Sequence, residues 1–271
     1  MAISPSTRSR AVKMLNKVPE VTIAFWVIKV LATTVGETAA DLLGTNLGLG
    51  LSATTYVMST LLIAALFFQF RSRRYVPGIY WLVVVLISVV GTLITDNLVE
   101  NYGVALETTT IVFAVALLAT FVGWFLSERT LSIHTIFTSK RESFYWLTIL
   151  FTFALGTAAG DLVAERLSVG YWQSALLFAG LIGVVAVAHF RFKLPEVWAF
   201  WMAYILTRPL GASTGDYLSQ PRNIGGLGLG SVGTSVIFLT VIASLVVVLS
   251  KRHAAGRVDP VLDPALEPAT S

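Results

Sequence analysis

The sequence predicts an all-α polytopic membrane protein. Eight transmembrane helices form four parallel two-helix repeats, in two matched halves of a pseudo-fourfold or two-plus-two bundle. Three observations lead there. Of 271 residues, 55% are apolar and 13% charged, with a mean hydropathy of +0.77, far from the balance of soluble domains. Apolar stretches near 20 residues recur along the chain, long enough as helices to cross a hydrocarbon layer of about 30 Å. Finally, an aromatic–Trp pair is followed four times by Gly ten residues after the Trp and Asp five residues after the Gly.

The spans fall at 19–43, 47–70, 77–100, 104–127, 143–165, 170–190, 195–219 and 229–250. The first lacks a small-residue cleavage site and carries the repeated motif, so it reads as a retained span rather than a leader. One transmembrane domain covers 18–250, with repeats at about 18–72, 73–130, 140–193 and 194–251. A basic tail (1–17) and a Pro/Ala-rich tail (251–271), expected to be disordered, flank it.

Basic residues fix the expected orientation. Fifteen crowd one side: Arg8, Arg10, Lys13 and Lys17; Arg71, Arg73 and Arg74; Arg129, Lys140 and Arg141; Arg191 and Lys193; Lys251, Arg252 and Arg257. Only Arg166 and Arg222 lie in the opposite loops. Both termini are therefore expected in the cytoplasm of a bacterial inner membrane. The sequence pI near 9.4 is a topology signal and gives no reason to expect a nucleic-acid partner. Each repeat has an even number of spans, so the repeats run parallel about an axis along the membrane normal, unlike inverted-repeat transporters. Odd helices are expected inside and the plainer even helices toward lipid.

The motif copies are Phe25-Trp26…Gly36…Asp41, Tyr80-Trp81…Gly91…Asp96, Tyr145-Trp146…Gly156…Asp161 and Phe200-Trp201…Gly211…Asp216. Helical neighbours four residues apart share a face, which turns each Asp into the middle of a stripe. The stripes are Glu37, Asp41, Thr45; Thr92, Asp96, Glu100; Thr157, Asp161, Glu165; and Ala212, Asp216, Gln220. Eleven of these twelve positions carry a side-chain oxygen. Paired carboxylates at i and i+4 repel unless a cation or proton sits between them, and intramembrane acids are costly enough to mark function. The candidate metal ligands are Asp41, Asp96, Asp161 and Asp216, extended by Glu37, Glu100 and Glu165. Fifteen residues of helix put each Asp about 22 Å beyond its Trp, in the outer third of the membrane. Hydroxyls of Thr54, Thr109, Ser174 and Ser235 or Thr234 on the even helices could join. Capping of the next helix is the plainer role for these acids.

Two bases interrupt the odd helices. Spacing places Lys29 and Arg208 off the acid stripe, either as counter-charges to a neighbouring carboxylate or, for Lys29, snorkelling to the surface. A third role is that of a substitute cation allowing charge-coupled exchange. Pro209 should kink the seventh span. The tryptophans read as interfacial anchors.

The chain has no Cys, and His134, His189 and His253 are peripheral, which argues against soft-ligand metal sites. Oxygen donors suit Mg²⁺, Ca²⁺ or Mn²⁺. No phosphate-binding loop, Walker motif or catalytic triad is present, so an enzyme is not expected and neither is a bound cofactor. Lys17-Val18-Pro19-Glu20-Val21, Phe25-Trp26, Lys29, Thr33-Thr34, Gly36-Glu37-Thr38 and Asp41 resemble a bacterial family of uncharacterised membrane-anchored proteins. Pro195-Glu196-Val197 echoes that opening in the fourth repeat. The resemblance implies manganese efflux.

The expected function is a divalent-cation transporter, with Mn²⁺ favoured and protons as counter-ion. A cation channel filtered by an Asp ring is the alternative, and a non-transporting scaffold or enzyme the third class. The lipid bilayer is the other expected partner. Fusions test the orientation: a phosphatase that works only outside the cytoplasm is expected to be active after Tyr102 and inactive after Arg74. The opposite pattern overturns it.

Overall fold

The computed structural model describes residues 16–46 and 48–258. Most of both expected tails lies outside these residues, as does the side chain of Thr45. Eight long helices make up the described chain: α1 (Ile23–Asp41), α2 (Leu51–Arg71), α3 (Pro77–Asp96), α4 (Leu106–Glu128), α5 (Ser139–Asp161), α6 (Tyr171–Phe192), α7 (Glu196–Ser219) and α8 (Gly230–Val258). Seven of them, all but α7, are long and apolar enough to cross a membrane. Local chemistry starts several of them. Thr22 and Thr138 accept the backbone N–H three residues on, each at 3.3 Å, and Pro77 occupies the first turn of α3, where its missing N–H does no harm.

The odd helices form a closed ring in which α1 packs on α3, α3 on α5, α5 on α7 and α7 back on α1. Each even helix lies chiefly against the odd helix of the following repeat: α2 on α3, α4 on α5, α6 on α7, α8 on α1. The most apolar stretches of α1, α3 and α5 bury 61, 67 and 56% of their residues, against 17, 28, 11 and 17% for the even helices. Odd helices are inside, as the sequence suggests.

One repeated contact sets the register. A Cβ on Gly36 would fall on Ser88, on Gly91 it would fall on Phe153, on Gly156 on Arg208, and on Gly211 on Thr33. Each partner stands three residues before the glycine of the next repeat. Every junction of the ring therefore uses the same close approach, which only a residue without Cβ permits.

Directly after Asp41, Asp96 and Asp161 the helix widens into a π-turn, at Leu42–Asn46, Asn97–Asn101 and Leu162–Arg166. Repeat four has no such turn; α7 continues to Ser219 and a short 3₁₀ segment, Arg222–Ile224, leads toward α8. Such π-turns often mark functional positions in helices.

Gly91→Ala would press a methyl into the Phe153 side chain and the Ala154 backbone. A loss of about 1–3 kcal/mol is expected from such overpacking, read as a lower melting temperature of the purified protein. Gly180→Ala meets open space and should leave that temperature unchanged.

Candidate functional site

The ring is layered along its axis. Nearest the N-terminal ends of the odd helices, Phe25, Tyr80, Tyr145 and Phe200 each meet the Trp of the following repeat. Phe25 lies 5.7 Å from Trp81, Tyr80 5.5 Å from Trp146, Tyr145 6.2 Å from Trp201 and Phe200 5.7 Å from Trp26, centroid to centroid. The Tyr80 and Tyr145 hydroxyls share a hydrogen bond of 2.5 Å. Trp81, Trp146 and Trp201 are buried and Trp26 is half-buried. The expectation of interfacial anchors is therefore corrected. An indole pressed on an aromatic face across a helix junction gains more than one held at a surface, and the eight rings form a collar.

Lys29 sits deeper and is fully buried. Its ammonium lies 4.4 Å from the Phe153 ring centroid and 4.2 Å from that of Tyr204, and its Nζ makes no hydrogen bond among the described residues. It neither snorkels nor pairs with a carboxylate. The two aromatic faces supply cation–π attraction in place of an acid.

Arg208 is the expected counter-charge to a neighbouring carboxylate, Glu37, but its reach exceeds what spacing suggests. Eight residues before Asp216, it should point about 80° away from that acid. Its long side chain nonetheless carries the guanidinium across to the acid stripes of three other repeats. Nη2 donates to Glu37 Oε2 at 3.0 Å, to Thr157 Oγ1 at 2.6 Å and to the Thr92 hydroxyl, while Nη1 donates to the Thr33 carbonyl at 3.3 Å. Glu37, Thr92 and Thr157 are the residues four before each Asp; the fourth such position is Ala212. The guanidinium gathers the oxygens of that layer, where Ala212 offers none.

One turn further on lie the acids. Carboxylate oxygens of Glu37, Asp161 and Asp216 fall within 4.8 Å of one another. Glu37 and Asp216 are buried and Asp161 is half-buried. Asp41 and Asp96 are half-buried outside that trio; Asp41 accepts a 3.5 Å hydrogen bond from Gln220 Nε2. Glu100 and Glu165 are exposed, and Glu165 accepts from the Tyr171 hydroxyl at 3.0 Å. The seven expected ligands thus divide into a gathered three, two half-buried neighbours in Asp41 and Asp96, and two exposed glutamates.

The cause is readable in one residue. Asp161 and Asp216 follow Gly160 and Gly215, whereas Asp41 and Asp96 follow Ala40 and Thr95. A Cβ on Gly215 would stand 3.1 Å from Glu37 Cβ, and one on Gly160 would stand 3.4 Å from Ala212 Cβ. The two glycines let α5, α7 and α1 close together at the depth of the acids. The Gly-Asp dipeptide was the available sequence signal.

The even-helix hydroxyls do not reach the acids in any described bond. Thr54 donates to the Leu43 carbonyl, Thr109 to Ala105, Ser174 to Gly170 and Thr234 to Gly230, while Ser235 and Thr38 share a 2.7 Å bond. Near a helix start the local carbonyl is the closer partner. A cleft of about 770 Å³ opens between α1, α6, α7 and the loop around Ser132, lined mainly by apolar side chains such as Trp26, Val30, Val185 and Leu210. Its lining does not suit a hydrated cation, and the acid trio lies elsewhere.

A buried ion pair without an obvious sequence signal holds the opposite end. Lys17 Nζ meets Glu142 Oε2 at 2.6 Å and the Phe70 carbonyl at 3.0 Å, and Gln69 Nε2 donates to Glu142 Oε1 at 3.1 Å. The approach to α1, the end of α2 and the start of α5 meet there. Glu142→Ala leaves the buried ammonium unpaired and should destabilise the fold by about 3–5 kcal/mol. Thermal denaturation beside Glu142→Gln, expected to lose less, checks it.

No curated protein and no solved structure matches the chain. A family model does, in four copies, at residues 24–75, 79–130, 144–194 and 199–254. These are the four hairpins that make up the ring, and together they cover most of the chain. The chain belongs to the family described as Repeat of Unknown Function (DUF347).

Proposed function

We propose that the protein is a divalent-cation transporter of the bacterial inner membrane that binds its ion at Glu37, Asp161 and Asp216, with Mn²⁺ the preferred substrate and export the preferred direction. The observation that carries the reading is the convergence of three carboxylates from three repeats to within 4.8 Å. Carboxylate oxygens at that spacing match hard divalent ions. Three acids drawn together inside apolar helices are otherwise unfavourable, since like charges in a weakly polarisable interior repel strongly. In this reading α7 is the eighth crossing. Its 24 residues span about 36 Å at ~1.5 Å each, and it turns Arg208 and Asp216 into the bundle. Both termini lie in the cytoplasm.

The cation-channel reading draws on a different observation, the closed ring of four like-directed helices around one axis, the geometry of a pore. Saturation and counterflow separate the two. A transporter exchanges labelled Mn²⁺ against unlabelled Mn²⁺ across the membrane, whereas a channel passes it steeply with voltage.

The trio also makes a residue-level prediction. Asp161→Asn and Asp216→Asn should each reduce Mn²⁺ flux into proteoliposomes at least tenfold, and Asp41→Asn and Asp96→Asn much less. Equal losses at all four positions would restore the full Asp ring, and unchanged flux in Asp161→Asn and Asp216→Asn would remove the metal site.

A further inference from the structure

We propose that Arg208 is a tethered cation that closes the axis of the ring beneath the acid trio, so that an ion passes toward the aromatic collar only when the guanidinium releases Glu37, Thr92 and Thr157. The inference rests on the cation-transport reading above and gives that site its gate.

Position comes first. The guanidinium is fully buried and bonds side chains of α1, α3 and α5 at once. These are the other three walls of the ring, and Arg208 itself belongs to the fourth. A group tied to every wall of a closed ring occupies its middle. Ala212, the only member of that layer without an oxygen, sits one turn above Arg208 on the same helix and stands where a fourth polar side chain would be.

Charge comes second. A cation moving from the trio toward the collar meets Arg208 and then Lys29, which is equally buried and has no hydrogen-bonded partner at Nζ among the described residues. Both approach the Phe153 ring, the Arg208 guanidinium carbon at 5.7 Å and the Lys29 nitrogen at 4.4 Å. The Arg208 guanidinium keeps its charge when buried and repels a mobile cation most strongly where water is excluded. The collar of eight rings lies behind them.

Mobility comes third. Pro209 follows Arg208 directly and lies inside α7. It has no N–H to give the Ile205 carbonyl, which weakens the helix at this turn. Gly156 faces the Arg208 side chain with only a hydrogen where other residues carry a Cβ. The gate therefore sits on the weakest turn of its helix against the smoothest part of its neighbour. Other repeats place Thr33, Ser88 and Phe153 at the equivalent position, none of which can supply a fixed positive charge.

The chain has no Cys, so a single introduced thiol reports access cleanly. Lys29 lies on the collar side of Arg208, and both side chains approach the Phe153 ring. Lys29→Cys in the full chain, reconstituted in liposomes, is treated with a cationic methanethiosulfonate from the side of the acids. The thiol should be nearly inert with Arg208 present and should react at least tenfold faster with Arg208→Gln. Thr92→Val with Thr157→Val keeps the Arg208–Glu37 pair while removing two anchors, and should also raise the rate; it carries the test should Arg208→Gln fail to fold. In parallel, Mn²⁺ movement through Arg208→Gln should lose its counterflow and follow voltage. Labelling rates within twofold of the starting protein in the folded variants would overturn the gate. Absence of any Mn²⁺ movement in the unaltered protein would instead remove the transport reading, and the labelling result would still say whether Arg208 closes the axis.

Discussion

Helices in a lipid phase gain little from burying apolar surface against one another, so close backbone approach and polar bonds must hold them. Here that approach is made four times by one glycine per repeat. Gly36, Gly91, Gly156 and Gly211 each receive the residue three before the next glycine, and the fourth contact returns to the first repeat. A single repeated constraint sets direction, register and closure together. The aromatic collar and the acids follow, because a ring in common register brings equal sequence positions to equal depth.

Divergence on that common scaffold creates the chemistry. At the position facing each glycine the chain carries Thr33, Ser88, Phe153 and Arg208, three uncharged residues and one base. The acid layer is likewise unequal, because Gly160 and Gly215 draw in Asp161 and Asp216 while Ala40 and Thr95 carry a side chain at the equivalent positions of the other two repeats. Glu37 then completes the trio from one turn below, its extra methylene relative to Asp helping it to reach. Glu37 is shared between the trio and the Arg208 pair, so the arrangement of one bears on the other. An acid bonded to a guanidinium keeps fewer lone pairs for anything else.

Much of the fold could be read from the sequence because it rests on periodicity. Apolar run length gave the helices, and the Gly-to-Asp spacing gave the repeats and their shared depth. What escaped depends on side-chain reach or on distant partners. Helical angle alone turned Arg208 away from the acids, yet a side chain of that length crosses the ring. The tryptophans looked like surface anchors because pattern does not distinguish an indole at a membrane boundary from one stacked on Phe25 or Tyr80. No local sequence signal pairs Lys17 with Glu142 across 125 positions. The π-turns after Asp41, Asp96 and Asp161 were equally silent, since one extra residue per turn leaves no polarity pattern.

Each even helix lies against the odd helix of the following repeat rather than mainly its own. A hairpin in this architecture is an arm extended to a neighbour, and the last arm, α8, reaches back to α1. Half the chain would hold two odd helices and one internal junction, with an arm extended and an arm's landing site bare. Such a half cannot satisfy itself, but two halves satisfy each other. Closure is then a matter of assembly before it is one of chain length, and the long chain turns what two halves would do by meeting into a property of one polypeptide.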